Sequence, residues 1–194
     1  GEAPIGLSTM VVNNGQFSDE SAFETAFNAT RATDSKDKNT VDLLLGVTQV
    51  INRRMLMQFN YSYSIANGYL TDPYKLLSVV NTEGVTQDIL HENRPDKRTK
   101  QSFYWQTKYA SDYGIADVSY RYATDDWDID SHTLDSRFRL KLSDNSYIQP
   151  HFRYYQQSAA DFYQPFLIQG SLLPSVASAD YRLGEMTAYT IGLK

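Results

Sequence analysis

The sequence predicts an all-β fold: a transmembrane antiparallel up-and-down barrel, with about seven strands here as part of a larger barrel. Three observations predict it. Bulky and polar side chains alternate with period two in segment after segment, the signature of a pleated strand. Short and long connections alternate along the chain, as they do in barrels with short turns on one side and long loops on the other. No stretch approaches the roughly 20 apolar residues that a spanning helix needs, whereas a barrel strand needs only every second residue apolar.

Residues 1–39 read as an external loop or plug-like segment. Within "SDESAFETAFNATRA", Ser18 is placed as an N-cap, Asp19, Glu20 and Glu24 lie early, and Phe23 and Phe27 share a face, which predicts a short helix. The barrel portion, 40–194, opens with Val41, Leu43, Leu45 and Val47 in one row against Asp42, Gly46 and Thr48. The turn "NRR" (52–54) follows. Next comes "RMLMQFNYSYSI" (54–65), where Met55, Met57, Phe59, Tyr61, Tyr63 and Ile65 alternate with Gln58, Asn60, Ser62 and Ser64. The long loop 66–98 holds "KLLSVV" and "VTQDIL" around "NTEG", a hairpin of its own.

In 99–110, Phe103, Trp105 and Tyr109 oppose Lys100, Ser102, Gln106 and Lys108; "SDYG" (111–114) turns the chain. In 115–123, Ala116, Val118, Tyr120 and Tyr122 oppose Asp117, Ser119 and Arg121, and 124–131 is read as a long external loop. In 132–142, Leu134, Phe138, Leu140 and Leu142 oppose Thr133, Asp135, Arg137, Arg139 and Lys141, ending at "SDNS" (143–146). In 147–155, Ile148, Phe152 and Tyr154 oppose Gln149, His151 and Arg153. Pro150, on the apolar row, removes a ladder donor there and predicts a bulge or an edge strand. Loop 158–184 is apolar enough to pack, and Tyr189, Ile191 and Leu193 mark the last strand, 185–194.

Composition sets the exclusions. The chain has 194 residues, enough for a sizeable core, and 41% hydrophobic residues. With a negative mean hydropathy it is no helical membrane bundle. There is no Cys, hence no disulfide framework, thiolate metal site or thiol nucleophile. A net charge of −5 with no basic tail argues against nucleic acid. Tyr dominates the aromatics, 15 against 9 Phe and 2 Trp, and its polar tip suits a membrane–water interface. The chain begins at Gly1, which predicts a processed or fragment terminus.

Several blocks resemble one family: "VDLLLGVTQVINRR" (41–54), "NGYLTDPYKLLSVV" (67–80), "ENRPDKRTKQSFYWQTKY" (92–109), "SYRYATDDWDIDSHTLDSRFRL" (119–140), "QPHFRYYQQSAADFY" (149–163) and "SADYRLGEMTAYTIGLK" (178–194). Together they look like the C-terminal portion of the bacterial family catalogued as domain of unknown function 3570. The resemblance implies an outer-membrane β-barrel of Gram-negative bacteria, with a missing N-terminal half. It also implies a periplasmic redox context, since such genes neighbour those of thioredoxin-like proteins, a small lipoprotein and a flavin-attaching enzyme. It carries over no catalytic residue and no cofactor.

The residues themselves offer three constellations. Lys108, Arg121, Arg137, Arg139, Lys141 and Arg153 share the polar parity of their strands, which reads as a basic lumen lining that favours anions. Asp117 and Asp135 share that parity, so the competing reading is a salt-bridged ladder with Arg137 and Arg153. Asp126, Asp128 and Asp130, at alternate positions of "DDWDID", are a candidate Ca²⁺ loop; without the Gly and distal Glu of an EF-hand, a solvated acidic loop among lipopolysaccharide cations is the plainer reading. Of His91, His132 and His151, His132 lies beside Ser131 and near Ser136, a nucleophile–base pattern in a hydrolase, but otherwise an interfacial histidine. His151 belongs with Arg153 in the lumen network.

The expected function is therefore an outer-membrane β-barrel that acts as a pore or a structural envelope scaffold and not as an enzyme. Its partners would be outer-membrane lipid and lipopolysaccharide, with other envelope proteins. A barrel hydrolase using Ser131 and His132, and a soluble β-sandwich or lectin-like binder, are the alternatives.

Overall fold

The computed structural model describes residues 9–11, 36–143 and 146–194. The helix expected around Ser18, Asp19, Glu20, Phe23, Glu24 and Phe27 lies outside the described residues. The strands are β1 (Thr9–Val11), β2 (Lys38–Asn52), β3 (Met55–Gly68), β4 (Leu76–Val80), β5 (Thr86–His91), β6 (Lys97–Ala110), β7 (Gly114–Asp125), β8 (Asp130–Lys141), β9 (Tyr147–Ile148), β10 (Pro150–Gln157), β11 (Leu167–Ile168) and β12 (Met186–Leu193). One 3₁₀ turn, Tyr181–Leu183, is the only helical element among them. The fold is all-β, as the alternation predicts. Contacts divide the chain into two units: residues 1–39, 67–97 and 161–184, and residues 40–66, 98–160 and 185–194.

The second unit is one sheet in the order β12-β10-β8-β7-β6-β3-β2, with β9 also on β8. Among the described residues it is not closed: β2 and β12 each have one neighbour and form its edges. β7 is antiparallel to β6 and β8 without a register shift, and β10 is antiparallel to β8 and β12. Tight turns follow from local chemistry. The Asn52 side chain accepts from the Arg54 N–H at 2.8 Å. Ser111 and Gly114 close the β6–β7 turn, and a Cβ on Gly114 would lie 2.1 Å from the Arg139 carbonyl oxygen, so only glycine fits.

Two expectations need correction here. The long external loop placed at 124–131 is a tight hairpin, 126–129. Asp125 makes it so, because its Oδ1 accepts the N–H groups of Trp127 and Ile129 at 3.0 and 3.1 Å, folding the chain back within four residues. Its Oδ2 takes Arg98 Nε and Nη2 at 2.8 and 2.5 Å, and the Arg98 guanidinium lies over the buried Trp127 ring, 4.1 Å from its centroid. Connection lengths therefore do not alternate strictly. Pro150 makes neither a bulge nor an edge. The β8 ladder stops between Ile148, opposite Leu140, and His151, opposite Arg137, then resumes in the same register on an interior strand. The lost donor is accommodated by a gap in the pairing.

The first unit has its own sheet, β1-β5-β4-β11, in which β4 and β5 form the hairpin read from "KLLSVV" and "VTQDIL". Its turn is an asparagine device: Asn81 Oδ1 accepts from the N–H groups of Glu83 and Val85, and Gly84 takes φ +80°. Strand β11 joins β4 in parallel. Leu77, Val79, Leu90, Leu167 and Ala177 close into a core in which Leu77 and Leu90 are fully buried. Beside it lies a charged cluster. Glu92, 4% exposed, accepts from Ser178 Oγ and the Asp72 N–H and faces Arg94 Nε at 2.7 Å. Arg94 Nη2 also reaches Asp180 at 2.9 Å, and Arg182 Nη2 reaches the same carboxylate at 2.5 Å. The Arg182 hydrogen bonds hold the Asp180 carboxyl far below the usual carboxylate range.

Candidate functional site: the charged face of the sheet

Strand pleating gives the sheet two unlike faces. On one, the register lays polar side chains in rows that cross β6, β7, β8 and β10. Lys108, Asp117, Arg137 and His151 are directly opposite one another in sequence of strands, and Asp135 stands opposite both Ser119 and Arg153. Arg121 is opposite Tyr104 and Thr133. These rows enclose a cleft of about 230 Å³ lined by Tyr104, Gln106, Asp117, Ser119, Arg121, Thr133, Asp135, Arg137 and Arg153.

Four of the six basic residues expected to share a face, Lys108, Arg121, Arg137 and Arg153, meet here. The pairings differ from the simplest expectation. Asp117 binds Lys108 Nζ at 3.6 Å and Gln106 Nε2 at 2.6 Å, although Arg137 is also opposite it. Asp135 takes Arg137 Nε at 3.3 Å and His151 Nε2 at 2.9 Å, although Arg153 is opposite it. Arg121 lies over the Tyr104 ring at 5.5 Å, and Arg139, farther along β8, over the Tyr147 ring at 4.6 Å with Gln149 as its hydrogen-bond partner. Lys141 ends β8 on the same parity. Among the described residues, Arg121, Arg139 and Arg153 have no carboxylate within ion-pair distance, so the patch is partly neutralised and still cationic. Tyr104, Gln106, Ser119 and Thr133 escaped sequence reading as site residues. Their parity is the signal that could have found them.

The opposite face is apolar and uncovered. Phe59, Phe103, Leu134, Phe152, Tyr189, Ile191 and Leu193 are all exposed, Ile191 at 85%. Among the described residues of this unit, the buried apolar ones are Ala66, Trp127, Ile129 and Ala160. Monomeric water-soluble proteins rarely leave a contiguous apolar face of this extent open.

The acidic loop is not assembled as a cation site. Asp126 Oδ1 accepts the Thr99 N–H at 2.8 Å, Asp130 Oδ1 accepts the Tyr122 hydroxyl, and Asp128 takes φ +62° at the hairpin tip. A turn cannot hold alternate residues on one side as an extended strand would. Among the described residues no three His, Asp or Glu side chains converge to hold a metal. The hydrolase pairing of Ser131 with His132 is likewise not assembled. Both lie within β8 as consecutive residues, so the pleat sends their side chains to opposite faces. His132 Nδ1 instead hydrogen-bonds the Tyr120 hydroxyl at 2.7 Å.

A family model described as Protein of unknown function (DUF3570) matches residues 1–194. The chain belongs to this family. The DUF3570 match extends over the whole chain, beyond the blocks from 40 onward that carried the resemblance. Comparison with curated proteins and comparison with solved structures gave no match.

Proposed function

We propose that this chain forms wall of an outer-membrane β-barrel, its apolar face against lipid and its charged face lining a solvent-filled, anion-favouring interior. One observation carries the reading: among the described residues the large apolar side chains of one face of the sheet lie exposed, while the other face is lined by ions. Water on both faces would leave the apolar side chains unpaired with anything, whereas hydrocarbon on one face meets the requirement of both. The open edges β2 and β12 support the same reading. Unpaired backbone groups in lipid cost several kcal/mol each, so the sheet is built to be continued by further strands. The cationic excess on the charged face would give the interior its preference, as rings of basic side chains do in pores.

The test is planar-bilayer conductance of the protein purified in detergent. The expected result is a pore whose reversal potential in a salt gradient shows anions passing more readily than cations. Preference for cations would overturn the electrostatic part. Insertion without conductance would leave a structural scaffold, and extraction from cells without detergent would overturn the membrane placement itself.

A further inference from the structure

On the apolar face four tyrosines near the hairpin 126–129, Tyr61, Tyr120, Tyr122 and Tyr154, point the same way along the sheet. The Tyr61 hydroxyl donates to Gln101 at 3.1 Å, Tyr122 to Asp130 at 2.9 Å and Tyr154 to Gln156 at 2.8 Å, while Tyr120 reaches His132 at 2.7 Å. Each acceptor lies nearer that hairpin than the ring it serves. The rings fall into two groups across neighbouring strands: Tyr61 packs on Phe103 at 4.9 Å, Phe103 is opposite Tyr122 and Tyr122 lies 5.1 Å from His132, while Tyr154, opposite Leu134, lies 5.2 Å from Tyr189. Immediately beyond these rings the same face turns polar, with Gln101 opposite Thr124 and Thr124 opposite Asp130.

From this geometry we infer that these rings form an interfacial girdle: they mark where the lipid headgroup layer of one leaflet meets the barrel, at the end of the sheet bearing hairpin 126–129. The inference rests on the membrane placement proposed above. Tyrosine sits at such a boundary with its ring in the apolar layer and its hydroxyl in the wet one, and four tyrosines with their hydroxyls turned one way match that arrangement.

Because the chain has no cysteine, single substitutions carry a nitroxide label without background. Labels at Thr124→Cys, Tyr122→Cys and Val118→Cys, all on one face of β7, and at Ser119→Cys on the other, are compared in lipid vesicles for collision with oxygen and with a water-soluble nickel chelate. The expected result is oxygen dominant at Val118, nickel dominant at Thr124 and Tyr122 between them. If Thr124 proves as lipid-exposed as Val118, the girdle is misplaced although the membrane reading stands. If Val118 and Ser119 are equally open to nickel, both fall. Gln101→Cys against Thr107→Cys on β6 repeats the measurement should a β7 variant fail to fold.

Discussion

In the β4–β5 hairpin, alternate apolar residues are sealed: Leu77 and Leu90 have no exposed surface. In β2 and β12 the same alternation leaves Val41 70% and Ile191 85% exposed. The pattern in the sequence is the same, and the medium it serves is different. The unit of residues 67–97 and 161–184 satisfies its apolar rows internally and stores charges in a buried cluster, Glu92–Arg94–Asp180, with Arg182 closing it from the surface. The sheet unit leaves its apolar rows open and, apart from Arg98–Asp125 at hairpin 126–129, pairs its charged residues along an open face. A period-two alternation thus identifies a strand with two unlike faces without saying what each face meets.

Four measurements would break or sharpen that contrast. The largest effect is expected for Leu77→Ala, which should destabilise the first unit by about 4 kcal/mol because it opens a cavity in a closed core. Leu134→Ala on the apolar face of the sheet leaves no cavity and should cost about 1 kcal/mol or less. Equilibrium urea unfolding of vesicle-inserted protein, followed by proteolysis of the hairpin region against that of the sheet, separates the two; equal losses would show the sheet to have a sealed core after all.

Next comes Asp180→Asn, expected to cost about 3 kcal/mol by leaving Arg94 and Arg182 without their shared carboxylate. The same carboxyl sets an acid dependence. Its folded pKa is depressed, so its contribution is complete above the ordinary aspartate value near 4 and is lost as pH falls below that. His91 acts earlier in the same direction: burial lowers its pKa, so protonation of the unfolded chain below about pH 6.5 weakens this unit. The stability of residues 67–97 should therefore fall between pH 7 and pH 5 and lose this step in His91→Asn. A flat profile in the unsubstituted chain would contradict the assignment.

The smallest effect, and the one most specific to the sheet, is the face contrast in β7. Val118→Arg should reduce insertion stability by about 2 kcal/mol, whereas Ser119→Arg, one residue on, should be close to neutral. Equal penalties at the two positions would mean that both faces meet the same medium.

Much of the fold was legible. The strands placed at 41–50, 54–65, 99–110, 115–123 and 132–142 lie within or closely overlap β2, β3, β6, β7 and β8, because a half-apolar strand writes its period into every second residue. The hairpin around Asn81 was legible for the same reason, with a turn residue between two apolar runs. The hairpin at 126–129 was not. Asp125 read as one acid among several, and only the return of the chain shows its carboxylate holding Trp127, Ile129 and Arg98 at once. The shared face of Lys108, Arg121, Arg137 and Arg153 followed from parity. The pairing of Asp135 with His151 depended on which strand lay beside which, whereas Arg137 stands two residues along the same strand.

By itself, then, the sequence determined that this chain makes strands with one oily and one ionic face, since side-chain period is a local consequence of the pleat. Tertiary structure decided which acid meets which base across strands, and that one unit closes a core while the other leaves its sheet open at both edges. Those outcomes depend on register and on neighbours distant in the chain, and no local pattern encodes either.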